Sequence, residues 1–424
     1  MAGQGNGKIK SICMLSTHGY FDPIPQLGKT DTGGQVLYVL QLAEAFVKHN
    51  IKVDIYTRWF DRERKQIDPL PGCPDARVIR IPAGPWEFIP KEQIYDVLPE
   101  LAENMVKFIR ENNLNYDLYH GHYVDAGIVT LDVAKQFDKP PFFTSHSLGA
   151  WKRQKIGGDP EEMDRVFNFT HRIAEEIRVF KSIRAQTVTS NEEEEKIEEL
   201  YNFRPPRVQF IPPGVDVHTF RPLKEGEEET KTKIALPDKY IFVVGRISKV
   251  KGHDLLLPAY LRAVQEYPDI HLVIAGGSKE PDEEEKEVLS NVNRFVKENQ
   301  LEEKVHLVGG IPHDDLPPYF RQAELFVLAA RYEPFGMTAL EAMACQTPAA
   351  ITIYSGLHEH LIPGENCLQF DPFKTDEYAE TIIKMLKDRT LARKLAKAGC
   401  EAVQKGFSWE AIAEKHIAFY EKHI

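Results

Sequence analysis

Two glutamates, Glu333 and Glu341, stand eight residues apart in RYEPFGMTALEAMA (331–344), with Pro334, Phe335, Gly336, Met337 and Thr338 between them. Carboxylates at that spacing suit a general acid/base pair, or acceptors for the hydroxyls of a sugar or ribose diol. Glu341 lies among small apolar residues, where a carboxylate is costly without a partner. That favours a ligand contact over a solvated helix position. Upstream, GRISKVKG (245–252) sets Arg246 and Lys251 five apart in a loop that follows a strand. Two cations there can grip a diphosphate, the arginine through two parallel hydrogen bonds. In DTGGQVLYVL (31–40), Gly33 and Gly34 precede a helix. Glycine lets a ligand approach the backbone, and the first helix amides favour an anion.

A second group of reactive types lies between these stretches. HGHYVDAG (120–127) and TSHSLGAWKRQK (144–155) end two neighbouring strands and bring His122, Asp125, His146, Ser147, Lys152 and Lys155 towards one rim. With Lys91 of FIPKE and with Arg172, they make a basic pocket in an otherwise acidic chain; the alternative is a scatter of exposed lysines. His120 and His122 share one side of a strand, but no second ligand pair accompanies them, and no metal is expected. GxSxG, Walker and HExxH signatures are missing.

The elements that carry these residues alternate. Strand, loop, helix and strand follow one another in KSICMLST (10–17), the long loop 18–34, VLYVLQLAEAFVKHN (36–50) and KVDIYTR (52–58). Such a unit opens a parallel α/β sheet. Further strands are expected at 76–83, 117–123, 141–149, 185–191 and 207–214, with helices over 95–112 and 161–184. PPGVD (212–216) punctuates the chain as a domain boundary. The alternation then restarts, with strands at 239–246, 271–277, 304–310, 324–330 and 347–353. Helices are expected at 254–266, 282–299 and 314–322, and three more, 376–387, 390–404 and 408–423, close the chain. EEEE (192–195) reads as a solvated helix face.

Length fits two or three domains. A net charge of −11 argues against a broad nucleic-acid or anionic-membrane surface. Five cysteines without a CxxC pair give neither a disulfide framework nor a zinc site and suit a reducing cytoplasm. No signal-peptide core and no run of about 20 apolar residues is present, so a cytoplasmic protein is expected.

Taken together, GRxxxxKG and the later E-P-F-G-x-T-x-x-E resemble the retaining glycosyltransferases of the GT-B fold, in the family that includes sucrose synthase and sucrose-phosphate synthase. DTGGQVLYV, FIPKE, HYVDAG, HSLGAWK, IPPGVD, GRISKVKG and RYEPFGMTALEAMA occur in the family's order over nearly the whole chain. The resemblance implies an α/β protein of two Rossmann-like doubly wound domains facing a cleft. Residues 1–214 would bind the acceptor and 215–406 the nucleotide sugar, and a helix over 407–424 would pack back on the first domain. It also implies transfer of a hexose from UDP-glucose or GDP-mannose to fructose 6-phosphate, giving sucrose 6-phosphate or mannosylfructose phosphate. No cofactor or metal is required beyond the nucleotide sugar.

The resemblance assigns roles to the residues. Arg246 and Lys251 would hold the diphosphate, Glu341 the ribose and Glu333 the donor sugar. Backbone amides from Phe335 through Gly336 and Met337 to Thr338 would lie close by. Gly34 would face the diphosphate and His146 the transferred sugar, so that Arg246, Lys251, Glu333 and His146 form the catalytic set. Gln35, Lys91, Tyr123, Asp125, Ser147, Lys152 and Arg172 would surround the acceptor. The chain departs from the usual pattern at His171-Arg172, where sucrose-phosphate synthases carry two arginines, and at Ser355-Gly356-Leu357-His358, where many relatives have Gly-Gly-Pro. The second departure leaves the donor open. Partners would be small molecules, with neither nucleic acid nor membrane, and a separate phosphatase would act on the product. The rivals are a transferase for lipid or polysaccharide using the Lys152–Lys155 cluster, a pyridoxal-phosphate phosphorylase and a non-catalytic sensor.

Overall fold

Strand KYIFVVGR is apolar at successive positions, so both of its sides must be covered. In the computed structural model they are. Tyr240 and Phe242 enter one cluster with Val273, Phe326 and Ile351, while Ile241 and Val243 enter another with Leu272, Ile274 and Val327. The structure describes residues 9–25, 33–156, 158–278 and 280–424. Asp31, Thr32 and the middle of the expected 18–34 loop lie outside the described residues.

In chain order the elements are β1 (Ser11–Leu15), α1 (Gly34–Lys48), β2 (Lys52–Trp59), β3 (Ile67–Leu70), β4 (Cys73–Pro82), α2 (Leu98–Glu111), β5 (Leu118–His122) and α3 (Val124–Gln136). Next come β6 (Pro141–Thr144), α4 (Gly149–Ile156), α5 (Pro160–Phe167), α6 (Phe169–Ser182), β7 (Ala185–Val188), α7 (Asn191–Tyr201) and β8 (Val208–Phe210). The second series is β9 (Tyr240–Val244), α8 (His253–Glu266), β10 (His271–Ala275), α9 (Glu283–Glu298), β11 (Val305–Gly309), α10 (Pro317–Gln322), β12 (Leu325–Leu328), α11 (Met337–Ala344), β13 (Ala349–Thr352), β14 (Leu368–Phe370), α12 (Thr375–Lys387) and α13 (Arg389–Gly406). The last helix is α14 (Trp409–His423).

The chain forms two compact units, Met1–Pro212 with Trp409–Ile424, and Pro213–Ser408. The first holds a sheet of order β3-β4-β2-β1-β5-β6-β7-β8, parallel except for β3. The second holds the parallel order β11-β10-β9-β12-β13-β14. In each, the strand order reverses beside the first strand, so β1/β5 and β9/β12 flank the point where open α/β sheets bind ligands. α14 belongs to the first unit and packs on α1, with Phe46 against His416 and Tyr420.

Three local expectations are corrected. The helix expected over 161–184 is two helices, because Asn168 adopts the left-handed conformation (φ 51°, ψ 40°) that asparagine tolerates. The strand expected over 141–149 stops at Thr144, and α4 begins at Gly149. EEEE is not a wholly solvated face: Glu193 is buried. Its carboxylate accepts from Ser145 Oγ, Thr189 N (2.7 Å) and Thr189 Oγ1 (2.9 Å), while Ser190 caps the Glu193 amide. This is a variant of the capping box, and it ties α7 to the loop that carries His146. Strands β3 and β14 and helices α3 and α4 were absent from the expected elements.

All four tryptophans, Trp59, Trp86, Trp151 and Trp409, lie in the first unit, so their fluorescence reports its unfolding. Glu193→Ala leaves three donors without this acceptor and should cost that unit about 2–3 kcal/mol. Urea unfolding followed by tryptophan fluorescence checks this; an unshifted midpoint would deny the cap a structural role.

Candidate active site

In the second unit, the loops after β9 and β12 are knitted together through Arg331, by its backbone amide and its guanidinium. Arg331 N donates to Val250 O (2.8 Å), and Arg331 Nη1 donates to Lys249 O (2.9 Å) and Asp254 (2.6 Å). Gly252 sits at φ +69°, and a Cβ there would come 2.3 Å from Ala329 O. Only glycine allows that approach. The knit brings Lys251 against Glu333 as an ion pair, both largely shielded, while Arg246 stays exposed at the loop's start. Burial and Lys251 push the pKa of His253 down to about 4, so this neighbour adds no positive charge at neutral pH.

Glu333 is held by its backbone. Its N–H donates to Tyr354 O (3.0 Å), and Gly356 N donates to its carbonyl (3.1 Å). Leu357 N bonds Phe335 O (2.9 Å), so the Ser355–His358 stretch is seated directly on the Glu333–Phe335 loop. Gly336 caps α11 at φ +117°. The amides of Met337 and Thr338, at the start of this helix, have no partner within it. One turn further on, Glu341 is 3% exposed. Its Oε1 bonds His313 Nε2 at 2.8 Å, whereas Oε2 has no partner among the described residues. Burial opposes a charge on His313, but Glu341 and Asp314 outweigh it and lift its pKa to about 10. A buried carboxylate with one oxygen held by an imidazolium and the other left over is built to accept a hydroxyl. His313 was not a sequence candidate. Only its position in the loop after β11, two strands from β9, pointed to it.

In the first unit, Lys91, Tyr123, Lys152 and Arg172 line one pocket with Glu92, Tyr95, Phe167 and Phe169. The break at Asn168 places the last two: their rings stack at 5.3 Å, and Asn168 Nδ2 bonds Glu92 O (2.9 Å). The Arg172 guanidinium lies 4.6 Å from the Tyr123 ring centre. It donates to Glu176 Oε1 (2.8 Å) and Ser147 O (2.7 Å). Lys152 Nζ stands 5.0 Å over Phe167, and Lys91 pairs with Glu92 at 2.9 Å.

The other first-unit candidates do not line this pocket. Gln35 reaches Ser16 Oγ (3.1 Å) and His122 O (3.2 Å) from the first turn of α1, next to Gly34. Asp125 is buried, bonding Thr17 Oγ1 and His18 Nδ1 (2.8 Å), with the His18 ring edge-on to Tyr123 at 4.8 Å. It therefore supports the pocket wall through His18 rather than lining it. His146 stands in the loop after β6 at φ +56° and bonds His122. Burial, then His18 and His416, push its pKa down to about 3. Lys155 is exposed at the end of α4, away from the lining.

Family models for "Glycosyltransferase Family 4" and "Glycosyl transferases group 1" match residues 32–219 and 224–402. Mannosylfructose-phosphate synthase from Agrobacterium fabrum is 36% identical over 97% of this chain and 91% of its own length. The chain belongs to the GT-B glycosyltransferases, in the family of mannosylfructose-phosphate and sucrose-phosphate synthases. The sucrose-phosphate synthase structure from Thermosynechococcus elongatus superposes with a TM-score of 0.83 at 30% identity, covering 97% of this chain and 98% of that one. A D-inositol 3-phosphate glycosyltransferase from Corynebacterium jeikeium is 29% identical over 97% of this chain and 96% of its own. As in other GT-B glycosyltransferases, both units are doubly wound α/β folds. Among the described residues no helix is long and apolar enough to cross a membrane.

The His313 pKa is raised on folding. The stability it contributes is therefore fully present below about pH 6.5 and is lost as pH rises through about 10. His313→Gln should destabilise the second unit by about 3 kcal/mol near pH 6, and by progressively less towards pH 10. Chemical unfolding followed by circular dichroism measures this. A penalty that grew with pH would contradict the ion pair.

Proposed function

We propose that this glycosyltransferase moves a hexose from a nucleotide sugar, UDP-glucose or GDP-mannose, to a phosphorylated sugar acceptor, fructose 6-phosphate first among them, with retention at the anomeric carbon. The observation that carries the reading is the first unit's pocket, where Lys91, Lys152 and Arg172 converge beside Tyr95 and Tyr123. Three cations with phenolic rings suit a phosphate monoester attached to a polyol. The names of the three relatives point the same way, since each has a phosphorylated polyol as acceptor or product. A cyclitol phosphate is the second reading, supported by the inositol 3-phosphate relative. A lipid or polysaccharide acceptor fits less well: Lys152 faces the pocket beside Phe167, which leaves Arg153 and Lys155 as the exposed cations of that cluster.

On the donor side, Glu341 Oε2 accepts a ribose hydroxyl, and Arg246, Lys251 and the first amides of α11 meet the diphosphate. The bond from the anomeric carbon to the diphosphate oxygen breaks as the acceptor hydroxyl bonds to the same face, and that hydroxyl's proton passes to a phosphate oxygen. The charge that develops is on the leaving group. Preorganised cations and amides stabilise it without reorganising, and Glu333 sets Lys251 in place.

Lys251→Ala, folded as judged by circular dichroism, should lower kcat by about 100- to 1,000-fold. Lys152→Ala should instead raise KM for the phosphorylated acceptor about tenfold, with little effect on an unphosphorylated one. A donor panel of UDP-glucose and GDP-mannose against fructose 6-phosphate, fructose and inositol 3-phosphate, read by nucleotide release and product stereochemistry, tests the whole proposal. Failure to glycosylate any phosphorylated polyol would sink it.

A further inference from the structure

His146 Nε2 lies 2.9 Å from His122 Nδ1. His122 is fully buried, and its other nitrogen, Nε2, has no partner among the described residues. A neutral imidazole has one N–H and one lone pair. A buried N–H without an acceptor is rarer and costlier than an acceptor without a donor. The proton of His122 therefore belongs on Nδ1, where it donates to His146 Nε2. With its Nε2 lone pair taken, a neutral His146 must carry its own proton on Nδ1, and among the described residues no hydrogen bond reaches that atom. We propose that His122 fixes His146 as a neutral imidazole with its proton on Nδ1, which makes His146 a hydrogen-bond donor to the reacting sugar and not a base.

The surroundings hold both rings in this state. His120 stacks on His122 at 4.3 Å and is itself bonded to Thr144 Oγ1 (2.8 Å). Tyr38 lies edge-on to His146 at 4.8 Å, and its hydroxyl bonds His416 Nε2 on α14 at 3.0 Å. The left-handed backbone at residue 146 is a conformation that persists only when the surroundings over-determine it. The groups that face His146 are His18 from the loop after β1, Tyr38 from α1, His122 from β5 and His416 from α14. The carboxylates nearby are engaged elsewhere, Asp125 by His18 and Glu193 by Ser145 and Thr189. A second proton on His146 would set two N–H groups against each other, in keeping with its depressed pKa. His122 is thus a positioning residue. The part of this inference that concerns sugar rests on the proposed hexosyl transfer; the tautomer does not.

Nitrogen NMR of the full chain with labelled histidine tests it directly. The His146 signal, identified by its loss in His146→Gln, should show a neutral ring protonated at Nδ1 from pH 5.5 to 8. A ring protonated at Nε2, or an imidazolium in that range, overturns the inference. Two variants extend the test. His122→Asn retains an N–H donor and should keep the tautomer and at least a third of kcat. His122→Asp offers only an acceptor; it should move the His146 proton to Nε2 and lower kcat tenfold or more, with little change in acceptor KM. Equal losses in both, with the tautomer unchanged, would reduce His122 to a packing residue. If native protein transfers no hexose at all, the proposed activity fails while the spectrum still decides the tautomer.

Discussion

A charge buried in a protein must be neutralised where it stands. In this glycosyltransferase Glu341, Arg172 and Lys251 are each met by an opposite charge, and on the proposed function the polar capacity left over faces the substrate. Glu341 gives one oxygen to His313 and keeps the other. Arg172 gives Nε to Glu176 and one terminal nitrogen to Ser147, while lining the pocket. Lys251 rests on Glu333. Glu176 is itself saturated, taking Arg172, the Gly149 amide and the Tyr201 hydroxyl, so it cannot migrate into the pocket to compete with a ligand. Without these inner partners the side chains would collapse on one another or be driven neutral.

The sheets decide where such pairs can be assembled. A loop leaving the carboxyl end of a parallel strand can extend over its neighbour only where the crossovers diverge to opposite faces. That happens beside β9 in one unit and beside β1 in the other. Lys251 and Glu333 come from the two strands at the first point. His18 and Tyr123 come from the two strands at the second. The glycines at 252 and 336 matter because the loops there cross within van der Waals contact of one another's backbone or of Leu328.

Much of this was legible in the sequence. Strand positions could be read because a strand sandwiched between helices is apolar on both sides, a dense signal over few residues. The RYEPFG and GRISKVKG loops could be read because charge and glycine interrupt that signal at strand ends. Asn168 could not be read. Nothing in FNFTHR distinguishes a helical asparagine from a left-handed one, yet that residue separates α5 from α6 and seats Phe167 and Phe169 in the first unit's pocket. Glu193 was hidden by its neighbours, since four successive glutamates look solvated until the sheet shows which one turns inward. His313 and His18 were missed because their meaning lies in their partners, Glu341 and Asp125, which are distant in sequence.

The pairing of cations with carboxylates also answers a difficulty set by the chain's net charge of −11. The proposed substrates and products carry phosphates, and an acidic exterior repels them over roughly one screening length, about 8 Å at physiological salt. Attraction must come from inside the pockets, at short range. A bare cluster of Lys91, Lys152 and Arg172 would attract strongly, but it would hold the phosphorylated product as firmly as the acceptor, and binding both states equally adds nothing to turnover. Glu92 beside Lys91 and Glu176 beside Arg172 reduce the net field while leaving directed N–H groups in place. On the proposed function the pocket then recognises a phosphate by geometry more than by charge. On the donor side the same device works in time. In the proposed reaction Glu333 holds Lys251 before the diphosphate carries its full charge, and the growing charge on the leaving group competes for that lysine as the anomeric bond breaks.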